Sequence, residues 1–559
     1  MQIWNMGNTT ARNPLRLREA LQLFVARMSG RPFRKPEQLE FQNAMIDAGL
    51  VESERREEGD DGGRKFASAF KQLGFVEDWS HGRNWVVTPV GTLLIEHPEL
   101  EETIFLRQLL KYQIQSPLEG EPRTRGFHLR PFRLLLRFLR RAYDEKLVGL
   151  TNAEIGIYVI NILNEDDTSA FEAAIAGVKS YRAEYNSLDG KVAKTNFAKA
   201  RLQATAEKVG VLYGTLKDYA DSNGRYALMT GLLTLRGNKL AISEARLPFV
   251  DAILADGTTL IPASEYLDRF YDPDYPPLPT DDRAFIGKEI AILEKRFQEV
   301  ATSVGMASTL PSSPTGATLP ELQAYEFRLR ERLREVREIQ FYRTQRLPES
   351  LTEIEDLLES ISDGGFASYA PAYFEWAIWR LFLAINDLVG SISDTRGFKV
   401  DTDMNPIHHA RGGAADLTFT YDKFIIVCEM TLTTGSRQFA VEGEPVTRHV
   451  FKAIENSGDK PVYGLFVAKK VDPNTSDAFH NARYWCDRRT FFTTPVVALE
   501  IKQILALIQR MKQYTVTVAD IRELLENILS LQRNFESGPS WFEAYSTLYE
   551  HWLTQSELL

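Results

Sequence analysis

Gly412–Val450, GGAADLTFTYDKFIIVCEMTLTTGSRQFAVEGEPVTRHV, opens with the pattern of a β-hairpin. Leu417–Tyr421 is β-branched and aromatic, Asp422-Lys423 is a polar break, and Phe424–Met430 is strongly apolar. Two short strands joined by a two-residue loop have this composition. With Tyr421 opposite Phe424, the residue numbers of every facing pair add to one sum, so Asp416 faces Glu429. Facing residues of an antiparallel pair hold their Cβ atoms about 4.5–5.5 Å apart, and like charges there repel. Two carboxylates so placed beside a buried strand need positive charge between them. A hard divalent cation such as Mg²⁺, which takes one or two carboxylates together with waters and phosphate oxygens, meets that need. Thr431, two residues beyond Glu429, falls on the same face. A register slip of one residue would carry one carboxylate to the other face and dissolve the pair.

An acid, a hairpin and then an acid-x-polar triplet form the layout of a PD-(D/E)xK nuclease core. Ala415 stands where that motif has proline, and Thr431 where it has lysine. The flanking segments fit the same order. Pro371–Leu388, PAYFEWAIWRLFLAINDL, is a strongly apolar helical pattern in which Glu375 is a rare acid. A buried carboxylate needs partners. Glu375 is therefore expected either at the same cation or at the helix end, where the dipole favours an acid. After the hairpin, Thr433–Gln438 breaks the strand and a helix carrying Glu442, Glu444, Arg448 and His449 follows. Pro461–Ala468 is a further buried strand, closed by Lys469-Lys470. Helix, strand, strand, helix, strand is the order such a core requires. His408-His409 has no partnering ligands in the sequence and is expected in a loop near the substrate or on the surface.

The 559 residues suffice for roughly two to four domains. An apolar fraction of 44% and a charged fraction of 25% are those of an ordinary globular chain. Two cysteines, Cys428 and Cys486, without CxxC spacing exclude a zinc ribbon or a disulfide framework. This usage suits a reducing cytoplasm. The start, MQIWNMGNTTARNPLRL, lacks the apolar core of a secretory signal, and no run reaches the roughly 18 apolar residues of a membrane span. The net charge of −10 leaves nucleic-acid contact to local basic clusters.

Such clusters lie towards the N-terminus. Arg12–Met28 is an amphipathic helical pattern with Asn13 as cap and Pro14 at the first helical position. Glu37–Leu50 is a second helical pattern ending at Gly49, and Arg64–Leu73 a third. Phe75-Val76 and Trp85–Val87 then flank the loop His81-Gly82-Arg83-Asn84. Three helices and a β-hairpin in this order form a winged-helix pattern, whose third helix would carry Arg64, Lys65, Ser68, Lys71 and Gln72 into a major groove. A small helical domain with a solvated basic helix is the other reading. Arg123–Arg141, RTRGFHLRPFRLLLRFLRR, holds seven arginines and no acid. Arg123, Arg125 and Arg130 lead this set, interleaved with aromatic residues as phosphate contact needs. Thr151-Asn152-Ala153-Glu154 has capping-box spacing and opens a helix over Ile155–Leu163. Asn186–Lys208 is polar and helical for much of its length, and Tyr226–Ile242 is a hairpin around Arg236-Gly237-Asn238, giving a second winged-helix-like unit. YDPDYPPLPTDD, 271–282, is an acidic, proline-rich boundary. Arg283–Val300 and Leu322–Arg343 are charged helical patterns that fit an antiparallel spacer or a coiled-coil contact. The expected division is 1–150 and 151–270 for recognition, 271–345 for linker and spacer, and 346–559 for cleavage, a multidomain α+β chain with an α/β core at its C-terminal end.

The block ADLTF-x-YDKFIIVCEMTLTTGSRQ-x-x-x-EGEPVTRH resembles the cleavage domain of AlwI-type type IIS restriction endonucleases and their strand-nicking relatives. W-x-x-GNTTARNPLRLREAL, at the other end of the chain, resembles the start of that family. The resemblance implies an N-terminal module that binds a short asymmetric site in double-stranded DNA and a C-terminal nuclease that cuts a few bases to one side. It implies an acidic site at Asp416, Glu429 and Glu442, with Glu375 as a fourth member and Glu442 or Glu444 in place of the motif lysine. Asp416, Glu429 and the Met430 carbonyl would hold Mg²⁺, with Mn²⁺ as a substitute, and Gln438, Arg448 and His449 would touch the scissile strand. One site cuts one strand. Double-strand cleavage would need a second nuclease domain, from a transient homodimer or a small subunit.

A winged-helix regulator with a degenerate nuclease domain is the rival reading, motivated by the missing proline and lysine. A structure-specific repair nuclease is another. Neither a glycine-rich cofactor loop with an (N/D)PP(Y/F) tetrad nor a G-x-x-x-x-G-K-[ST] loop occurs, which argues against a methyltransferase and against ATP dependence.

Overall fold

The computed structural model describes residues 3–11, 14–51, 61–78, 84–118, 125–257, 259–306, 310, 316–385, 387–410, 413–485 and 491–554. The chain divides into two compact units, Met1–Gly287 and Lys288–Leu559, with the division inside the helix Arg283–Ser303. No described helix is long and apolar enough to cross a membrane.

The first unit begins with the helices Leu17–Met28, Lys35–Asp47 and Asp61–Gln72. Pro36 and Glu37 start the second helix, Glu37 accepting the Arg34 N–H at 3.0 Å. Gly49, at φ 69°, follows its end. Strands β1 (Arg31–Pro32), β2 (Val76–Glu77) and β3 (Asn84–Val87) form an antiparallel sheet in the order β1-β3-β2. Phe24 is fully buried and meets Phe33, Phe41, Phe70 and Trp85, so helices and hairpin share one aromatic core. Asn13 and the loop residues His81, Gly82 and Arg83 lie outside the described residues.

Further along, β4 (Leu150–Thr151), β5 (Leu233–Arg236) and β6 (Lys239–Ile242) form a second sheet in the order β4-β6-β5. The capping box forms, with Thr151 and Glu154 each accepting the other's N–H. The turn it opens passes into a π-helix, Ile155–Val159, and stops short of Leu163. The helices Thr168–Ser187, Lys191–Val209 and Tyr213–Leu228 follow. Tyr226–Leu228 therefore ends a helix and does not start the hairpin. Tyr226 is buried there, with its hydroxyl on the Ala11 carbonyl, a partner 215 positions away.

In the second unit the helix Leu319–Thr344 touches Arg283–Ser303 through Tyr325 on Glu294 at 2.7 Å and Gln340 on Ser303 at 3.0 Å. These two contacts climb both helices in the same direction, not in the opposed directions of the antiparallel pair that the sequence pattern leads one to expect. The sheet comprises β7 (Leu417–Thr420), β8 (Ile425–Thr431), β9 (Val462–Ala468) and β12 (Val496–Glu500), in the order β12-β9-β8-β7. A separate hairpin, β10 (Arg483–Trp485) and β11 (Phe491–Thr493), stands between β9 and β12 in sequence. β7 is antiparallel to β8, and the other pairs are parallel. The helix Ser436–Asn456 makes the crossover from β8 to β9 that a parallel pair requires. Val446 and Val450 on it pack on Val427 and Phe466. Gly464 permits this approach, since a Cβ there would lie 2.7 Å from Val450. The helix Ala370–Ile385 covers the opposite face, with Phe382 stacked on Phe419 at 4.7 Å. Phe466→Ala, which empties a fully buried ring site under the crossover helix, is expected to cost about 3–5 kcal/mol in denaturant unfolding.

Candidate active site

The hairpin register follows the sum rule. Leu417 pairs with Cys428, Thr420 with Ile425, and the Tyr421 N–H reaches the Phe424 carbonyl at 2.9 Å. Asp416 thus stands beside Glu429 on the sheet face covered by Ser436–Asn456. Asp416 accepts the Met430 N–H at 2.9 Å.

Glu375 reaches the same cluster from the helix Ala370–Ile385, accepting the Ala410 N–H at 2.6 Å. It lies in the body of the helix, where both Asp416 and Glu429 act on it. Burial first, and these neighbours next, push its carboxyl well above the usual range. Asp416 is raised in the same way, by burial, then by Glu429 and Glu442. Burial and then Glu442 raise Glu429. Glu442 is half-buried on Ser436–Asn456 and faces this group. Glu444 is exposed and paired with Arg448 at 3.0 Å. His449 is buried, with Nδ1 2.6 Å from the Glu429 carboxylate. Burial, with Arg448 and Lys452 beside it, lowers its pKa to about 4. A neutral ring donates Nδ1–H to Glu429 and orients that carboxylate.

Several expected contacts have other roles. Gln438 is fully buried and cannot touch a DNA strand. Its Nε2 donates to the Thr433 and Lys470 carbonyls at 2.7 and 2.9 Å, and its Oε1 accepts from Asp472 at 2.8 Å. It clamps the turn after β8 to the turn after β9, because the helix begins at Ser436, inside the segment expected to be a break. Thr431 is buried and caps its own turn through the Thr433 N–H at 3.1 Å. Arg130 is withdrawn as a phosphate contact, since its buried guanidinium pairs with Glu165, Nε donating at 3.0 Å. The arginines of the helix that follows, Pro131–Asp144, meet protein groups: Arg133 the Ile253 and Leu254 carbonyls, Arg137 the Glu165 carbonyl, Arg140 Asp251, and Arg141 Glu145. Acids distant in sequence supply part of the neutralisation that the run itself lacks. Arg125 is exposed, and Arg123 and Cys486 lie outside the described residues. Arg64, Lys65 and Ser68 share an exposed face, whereas Lys71 pairs with Asp78 at 2.7 Å and Gln72 bonds the Asn5 carbonyl and Tyr112. His408 is buried, not a surface histidine.

The acid cluster offers hard oxygen donors in a buried setting whose like charges repel, the chemistry that suits Mg²⁺ or Mn²⁺. Among the described residues, no three His, Cys, Asp or Glu side chains are arranged to hold a metal ion as they stand. The carboxylates are engaged by Met430, Ala410 and His449. The fit lies in donor type, burial and charge.

The sequence model described as AlwI restriction endonuclease matches residues 71–507, more than half of the chain. The chain belongs to that family. Family membership makes it a type IIS restriction endonuclease, an enzyme that acts on DNA. No curated relative matches it in sequence. Among solved structures, the chain is similar to the small subunit, R.BspD6I2, of the heterodimeric restriction endonuclease R.BspD6I. That likeness has 24% identity over 36% of this chain and 98% of the subunit, with a TM-score of 0.29. It is also similar to restriction endonuclease FokI, at 12% identity over 93% of this chain and 99% of that one, with a TM-score of 0.23.

Asp416→Asn removes one of three mutually repelling buried acids. In EDTA it is expected to raise stability by about 0.5–2 kcal/mol in thermal or denaturant unfolding, as relief of active-site strain does.

Proposed function

We propose that this endonuclease hydrolyses a phosphodiester beside its recognition site with Mg²⁺, or Mn²⁺ in its place, at Glu375, Asp416, Glu429 and Glu442. The observation that carries the reading is the gathering of these four acids from two facing strands and two helices, three of them raised together by burial and proximity. Asp416, Glu429 and the Met430 carbonyl would hold the cation, which when bound acts as a Lewis acid on the phosphate and lowers the pKa of water. Glu442 orients the attacking water and accepts its proton. His449 fixes the orientation of Glu429, as a hydrogen-bonded partner of a ligand does. Glu375 adds negative charge from the opposite side of the sheet.

In this reading the cleavage core is a PD-(D/E)xK fold in which Glu442 takes the place of the motif lysine. The helices and hairpin over 17–87 act as a winged helix that presents Arg64 and Lys65 to DNA, with Arg125 as a further contact. The segment 151–270 is a second recognition module, 271–345 the linker and spacer, and 346–559 the cleavage part. One acid cluster cuts one strand, so a second copy or a small subunit must join for both to be cut. The working place is the cytoplasm, as part of a restriction–modification pair.

Supercoiled plasmid incubated with Mg²⁺ is expected to yield open circles or discrete linear fragments with the wild type and to stay intact in EDTA. Asp416→Ala should lower the rate at least about 100-fold. Equal cutting by that variant would mean that the site lies elsewhere, and a plasmid bound specifically but left uncut would favour the regulator. Glu442→Gln and Glu444→Gln separate the two glutamates. Plasmid cleavage is expected to be lost in the first and close to wild type in the second.

A further inference from the structure

The helix Lys191–Val209 has a face that the acid cluster and the winged-helix reading leave unexplained. From Lys191 to Ala206 it carries four cations and no acid, in a chain with 76 acidic and 66 basic residues. Its inward side is settled: Leu202 and Ala206 are buried, and Phe197 lies 5.1 Å from the Tyr181 ring. Two of its cations are used at the flanks, Lys194 over the Tyr185 ring and Arg201 over Phe197 with Glu184 at 3.7 Å.

The outward side is the stripe Val192, Thr195, Asn196, Lys199, Ala200 and Gln203. All six are exposed, Val192 to 75%, at the i, i+3, i+4 spacing of one helix face. The side chains of Thr195, Asn196 and Lys199 make no hydrogen bond, ion pair or ring contact among the described residues. Gln203 reaches only Glu207, at 2.8 Å, past the acid-free stretch. A purely solvated helix of this chain looks different. Along Leu319–Thr344, Arg332 pairs with Glu335 and Arg334 with Glu331, the alternation that stabilises an exposed helix.

The side chains of the stripe match base edges. Asn and Gln pair bidentately with adenine, Lys with guanine O6 and N7, and Val, Thr and Ala pack on the thymine methyl. Small Ala200 lets the backbone approach, and the absence of acids suits a polyanion. A major groove about 12 Å wide admits one helix. We infer that the outward stripe of Lys191–Val209 reads bases in the major groove of the recognition site, with Asn196, Lys199 and Gln203 as specificity-determining residues. This rests on the endonuclease reading and adds a second base-reading helix to it.

The test uses the full-length enzyme, a duplex containing the site found by fragment sequencing, and a duplex library randomised across that site. Asn196→Ala, Lys199→Ala and Gln203→Ala should each weaken specific binding about tenfold. Each should relax the preference at one or two base positions in the cut products. Ala200→Glu keeps a helix-favouring residue and sets a carboxylate against the groove, so specific binding should be lost with unfolding unchanged. Wild-type affinity and unchanged base preference in these variants overturn the inference and leave the endonuclease intact. A wild type without site preference sinks the parent reading and this inference together.

Discussion

Asp416 and Glu429 oppose each other across an antiparallel pair, and this contact constrains the second unit more than any other. Like charges so close on the covered face of a sheet are unfavourable unless something holds them. Hydrogen-bond donors from Met430 and His449 do so here. The surrounding architecture keeps the pair in register. Phe419 and Ile426 pin one face of the hairpin, while Val427 and Phe466 pack beneath the crossover helix on the other. That helix in turn delivers Glu442 and His449 to the same place. Its start is secured by Gln438, which ties the ends of two parallel strands together. Both N–H donors of the amide are taken up inside the protein, and its oxygen already accepts the Asp472 N–H.

The hairpin, its register and the order of elements around it were legible in the sequence because they depend on alternation and on a two-residue loop, both local. The capping box at Thr151–Glu154 was legible for the same reason, since its partners are three residues apart. What local pattern does not carry is the identity of distant partners. An arginine run without acids has the look of a phosphate-binding face, yet Glu165 lies 35 positions from Arg130 and Asp251 lies 111 from Arg140. Gln438 beside a catalytic-type strand looks like a substrate contact until its three backbone partners are known. The choice between Glu442 and Glu444 turns on which face of the crossover helix meets the sheet. His449, seven residues after Glu442, was the available sign, because the two lie on one helical face.

Charge is spent differently in the two units. In the second, acids are crowded where burial and their neighbours disfavour their charged forms. In the first, most arginines of Pro131–Asp144 are consumed in holding helices and loops together, and the exposed cations lie elsewhere, on Asp61–Gln72 and Lys191–Val209. A net charge of −10 is therefore no guide to the local surface.

The helix Ala370–Ile385 is buried on every side, with Trp376, Trp379, Phe382 and Leu383 pointing in different directions. Such a segment has no amphipathic compromise. During synthesis it leaves the ribosome before β7 and β8 exist to cover it, and a chain halted in between presents a greasy rod carrying one stranded carboxylate. Partial products of this protein are therefore adhesive, not merely inactive, and clients for chaperones.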